Sequence, residues 1–106
     1  MAEETFEIID GVRRAKSYQL LGKPAILAEI IDEEGNTVEK RDVPIDSLRV
    51  TTKSSIDVST QRDWERFMKT FNQVKADLPT PPILITPGDK GRKLQDVQLD
   101  PTGEAE

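Results

Sequence analysis

Gly11, Arg13, Arg14 and Lys16 lie close together in FEIIDGVRRAKSYQLLGK, Phe6 to Lys23, and carry the chemistry most easily read from this chain. Glycine permits a sharp backbone turn and leaves room for a ligand near the main chain. The residues after it have helical spacing, and a helix opens with unsatisfied N–H groups and the positive end of its dipole. Two guanidinium forks on that first turn, with the Lys16 ammonium close behind, would hold a phosphate or a carboxylate through charge-assisted hydrogen bonds. The same residues also fit a plain strand-to-helix turn with solvated arginines. Spacing alone leaves both readings open.

Composition removes most other chemistry. The chain has no cysteine, which excludes disulfides, zinc–thiolate sites and cysteine nucleophiles. It has no histidine either, so a Ser-His-Asp triad, a histidine base and the usual zinc or iron ligand sets are ruled out. What remains is carboxylates, lysines, arginines and hydroxyls, with magnesium on oxygen ligands as the cation they would suit. Glu33 and Glu34 fall at a loop tip, where carboxylates are solvated, and no metal site is expected from them. Twenty acidic residues against 15 basic ones give a net charge of −5. That balance argues against coating nucleic acid through overall positive potential, so any such contact must be local. MAEET lacks a signal pattern and no apolar run reaches membrane-spanning length, so a cytoplasmic protein without a membrane partner is expected.

Phe6, Ile8 and Ile9 supply strand-like positions, Asp10-Gly11 marks a turn, and Val12 to Leu21 reads as a helix ended by Gly22. On that helix Ala15, Tyr18 and Leu20–Leu21 would face the core while Arg14, Lys16 and Gln19 stay wet. Ile26 to Ile31 suits a strand, and DEEGN, Asp32 to Asn36, leads into Thr37 to Arg41 as a hairpin. VPIDSLRV, Val43 to Val50, reads as a short edge strand interrupted by Pro44, and TTKSSIDVS as polar loop. Thr60 and Asp63 open a second helix running to about Ala76. Its Trp64, Phe67, Met68, Phe71 and Val74 form one apolar stripe, read as core. Leu78 to Pro82 is a rigid link, Ile83 to Thr86 a buried strand, PGDKG a turn and Lys93 to Leu99 a weak strand. Residues 1–99 therefore read as a single small α+β domain with two main helices, with a loose acidic start at Met1 to Glu4 and a disordered tail over 100–106.

FEIIDGVRRAKSYQLLGKPAILAEII, Phe6 to Ile31, resembles the second half of the ParB/sulfiredoxin superfamily core, where a strand leads through a Gly-x-x-Arg turn into a helix and a further strand. Gly11-Val12-Arg13-Arg14 occupies that turn. VPIDSLRV and PTPPILITPGDKG resemble the first half of the same core, which in the family comes earlier in the chain. The resemblance thus implies a mixed sheet whose halves are in permuted order, or are completed by a second copy in a domain-swapped homodimer. In either case Ile83 to Thr86 should lie beside Phe6 to Ile9. The family turn binds phosphates, of CTP with magnesium in ParB proteins and of ATP in sulfiredoxins, so the resemblance implies a nucleotide, with or without Mg2+, or a nucleic acid phosphate at Arg13 and Arg14. Val12 stands where ParB relatives have a metal-associated glutamate and sulfiredoxins a catalytic cysteine. An aliphatic side chain can do neither job, which implies binding without the family's hydrolytic chemistry.

Three functions follow, in order of expectation. The first is a phosphate-binding domain using Gly11, Arg13, Arg14 and Lys16. The second is a non-enzymatic interaction or regulatory module, and the third a metal-dependent nuclease, of the kind ParB-like domains form in bacterial toxin effectors, with Asp10 and Asp46.

Overall fold

A computed structural model describes residues 4–51 and 55–101. Strand β1 (Phe6–Asp10) leads directly into helix α1 (Val12–Leu20). A hairpin follows, β2 (Ala25–Ile31) and β3 (Thr37–Pro44), then a 3-10 turn at Ile45–Ser47 and β4 (Leu48–Val50). Next come β5 (Ser55–Asp57), helix α2 (Gln61–Lys75), β6 (Ile83–Pro87) and β7 (Arg92–Lys93), and a 3-10 turn at Leu94–Asp96 leads to β8 (Gln98–Asp100). Six strands form one mixed sheet in the order β3-β2-β6-β1-β4-β7, and β5 pairs with β8 in a second, two-stranded sheet. The protein is an α+β fold, as the sequence pattern predicts.

Two pairings place the glycine turn. β6 runs antiparallel beside β1, with Glu7 opposite Thr86 and Ile8 opposite Ile85, within the one chain. β4 runs parallel on the other side, with Phe6 opposite Leu48. β1 is thus a central strand, and a register shift after Ile8 marks its approach to the turn. Alternation explains the burial: Phe6, Ile8, Ile26, Ala28, Ile30, Ile83 and Ile85 enter one continuous core, while Glu7 and Leu84 remain partly exposed. Thr60 caps α2, its hydroxyl accepting the Asp63 N–H at 3.0 Å. Phe67 and Val74 are buried beneath that helix.

The structure departs from the sequence pattern in several places. Lys16, expected in water, is buried at 4 % exposure, whereas Trp64, expected in the core stripe, is 46 % exposed near the start of α2. The stretch read as a short Val43–Val50 strand is the end of β3, a 3-10 turn and β4, because Pro44, at φ −62°, closes one strand before the next begins. TTKSSIDVS contains β5, whose Ile56 is fully buried; its pairing partner β8 comes from some forty positions downstream, which local composition does not register. Lys93 to Leu99 is β7, a 3-10 turn and part of β8 rather than one strand. β8 reaches Asp100, whose carbonyl accepts the Val58 N–H at 2.9 Å, so the ordered fold passes the expected boundary at residue 99. The rest of the expected tail, 102–106, and residues 1–3 of the expected loose start lie outside the described residues. Among the described residues no helix is long and apolar enough to cross a membrane.

Candidate functional site

Gly11 is the N-cap of α1 at φ 104° and ψ 25°, a conformation that side-chain-bearing residues rarely adopt. Among the described residues no side chain caps this helix. The first helical bond is Ala15 N–H to the Gly11 carbonyl at 2.9 Å, which leaves the N–H groups of Val12, Arg13 and Arg14 without intrahelical acceptors. On its Cβ side Gly11 is filled by Ile83 rather than left open for a ligand. A Cβ built there would lie 2.5 Å from Ile83 Cγ2, so the glycine is required by the packing of β6 against the turn.

The turn forms one wall of a half-open recess of about 540 Å³, lined by residues 9–14 on one side and by Arg66, Thr70, Gln73 and Pro81 on the other. Arg13 and Arg14 both line it but are differently committed. Arg14 Nη1 donates to the Pro81 carbonyl at 2.6 Å and to the Pro82 carbonyl at 3.3 Å, and Nη2 stands 3.8 Å from Asp10. Its guanidinium therefore ties the link between α2 and β6 to the glycine turn. Arg13 has no ion pair among the described residues, and its Nε is buried without a hydrogen-bond partner. Arg13 is the more available cation of the pair.

Lys16 is not part of this site. Its Nζ donates to the Leu94 carbonyl and to Gln19 Oε1, both at 2.8 Å, so it joins α1 to the 3-10 turn before β8. Burial pushes its ammonium below the ordinary value of 10.5, and the nearby Asp96 carboxylate partly opposes that shift. The expected pairing of Asp10 with Asp46 also fails. Asp10 ends β1, whereas Asp46 lies in the 3-10 turn before β4, near the start of β1, so the length of β1, about 13 Å at the usual strand rise, lies between them. Among the described residues no three acidic groups gather to hold a metal ion.

Arg66, Thr70 and Gln73 are the site residues that sequence reading missed. The signal for them was present: they are polar positions at i, i+4 and i+7 of α2, off the apolar stripe. What could not be read was which wall they face. Together the recess offers an uncapped helix N-terminus, Arg13, Arg66, a hydroxyl and an amide, beside the apolar surfaces of Ile9, Val12 and Pro81. Among the described residues its one carboxylate is Asp10, whose side chain is 71 % exposed. The arrangement is suited to holding an anion. Comparison with protein-family models, with curated proteins and with solved structures gives no match.

Proposed function

We propose that this protein is a phosphate-binding domain that takes a nucleotide or a nucleic acid phosphate in the recess at Gly11, without hydrolysing it. The observation that carries the reading is the convergence on one recess of the uncapped α1 terminus, of Arg13, which has no ion pair among the described residues, and of Arg66. Backbone N–H groups at a helix start and guanidinium forks are the donors a phosphate accepts from, and Val12 at the turn gives neither a metal ligand nor a nucleophile. The antiparallel β1–β6 pairing is consistent with the permuted ParB/sulfiredoxin arrangement and supports proposing it.

Titration calorimetry with a nucleoside triphosphate, with and without Mg2+, tests the reading. Binding should be saturable in the wild type and fall at least about tenfold in Arg13→Ala, the loss of one charge-assisted contact. An Arg13→Ala protein that binds as tightly as wild type overturns it.

A further inference from the structure

Four polar positions of α2, Arg62, Arg66, Lys69 and Gln73, fall within an arc of about 60° at 100° per residue, on the side away from the buried Phe67 and Val74. Arg62, Arg66 and Lys69 are all exposed, and among the described residues none has an ion-pair partner, whereas Arg14, Lys23 and Arg41 are each paired. Glu65, at the edge of the stripe, accepts a hydrogen bond from Gln61. Arg66 belongs both to this stripe and to the recess. Unpaired cations aligned in a chain of net charge −5 make a local positive track on an otherwise repelling surface, which focuses a polyanion onto one path.

We propose that the bound phosphate belongs to a single-stranded nucleic acid, whose chain passes the recess along α2 over Arg62, Arg66 and Lys69. This rests on the reading of the recess as a phosphate site. From Arg62 to Lys69 the track is about 10 Å long at the helical rise, with the recess residue Arg66 between its ends. The recess favours a single strand over a duplex. Ile9, 53 % exposed, with Val12 and Pro81 offers an apolar surface to an unstacked base, which a paired base cannot use.

Fluorescence anisotropy with labelled oligothymidylate and oligouridylate, over a salt series, tests the track, and the two arms separate DNA from RNA. Four cations in contact, Arg13, Arg66, Arg62 and Lys69, predict a slope of log affinity against log salt of about −2.8 for a single strand, and removing two predicts about −1.4. Arg62→Gln with Lys69→Gln should therefore weaken oligonucleotide binding about 25-fold at 0.1 M salt. Binding of thymidine triphosphate should not change. Equal oligonucleotide affinity and slope in wild type and the double variant overturn the track. So does binding of the triphosphate with none of either oligonucleotide, an outcome that leaves the recess reading standing. Loss of neither ligand in Arg13→Ala overturns the recess reading itself.

Discussion

Replacing Gly11 by alanine should destabilise the fold severely, for two separable reasons. The backbone at φ 104° is costly for a residue with a Cβ, about 1–2 kcal/mol. In addition the new methyl would sit 2.5 Å from Ile83 Cγ2 and 2.9 Å from Ile83 Cβ, and Ile83 is a fully buried residue of a central strand that cannot step aside. Overpacking of this kind costs about 1–3 kcal/mol. The sum, about 2–5 kcal/mol, is a large share of the ~5–15 kcal/mol total of a domain this size. It corresponds to a fall in Tm of about 10–25 °C. Gly35→Ala is the internal control. Gly35 also has positive φ, 86°, but nothing lies within 4 Å of its Cβ position, so only the backbone cost of about 1–2 kcal/mol applies. Urea denaturation of both variants gives the comparison. A Gly11→Ala protein no less stable than Gly35→Ala would refute the argument that β6 packing, rather than ligand access, requires the glycine.

The two arginines of the turn should separate by stability. Arg14→Ala removes the donor to the Pro81 and Pro82 carbonyls and should lower the unfolding free energy by about 1–2 kcal/mol. Arg13→Ala should stay within about 0.5 kcal/mol of wild type, and equal urea midpoints for the two would contradict their assigned roles. Lys16 predicts a pH dependence whose sign is fixed by burial. Its ammonium is lowered from 10.5, so between that lowered value and 10.5 the unfolded chain binds the extra proton and stability rises with pH. Wild type should therefore gain stability relative to Lys16→Met from neutral pH toward 10.5, and parallel stability curves for the two proteins would count against the buried contact.

Much of the fold was legible because it is encoded by short-range pattern. Alternation at Phe6 and Ile8, the Asp10-Gly11 turn and the apolar spacing of Phe67, Phe71 and Val74 each specify an element from its own residues. Thr60 marks the start of α2 in the same local way. The pairing of β5 with β8 was not legible, since Ser55–Asp57 becomes a strand only when Gln98–Asp100 arrives beside it. Trp64 shows the limit of a helical stripe: the spacing places it near the core side, yet in the first turns of α2 it stays 46 % exposed.

The candidate site divides in the same way. Sequence alone identified the glycine turn, the helix after it and the presence of cations there, because turn geometry and helix polarity are local properties. It could not rank those cations. Arg13, Arg14 and Lys16 look alike as residue types, and their difference lies in what is brought against them from distant parts of the chain: the Pro81 and Pro82 carbonyls against Arg14, the Leu94 carbonyl against Lys16, and no acceptor against the Arg13 Nε. The second wall, Arg66, Thr70 and Gln73, likewise exists only once α2 stands against the start of α1. A charge close to a turn is written in the sequence; whether it is spent on structure or left for a ligand depends on which acceptors tertiary packing delivers to it.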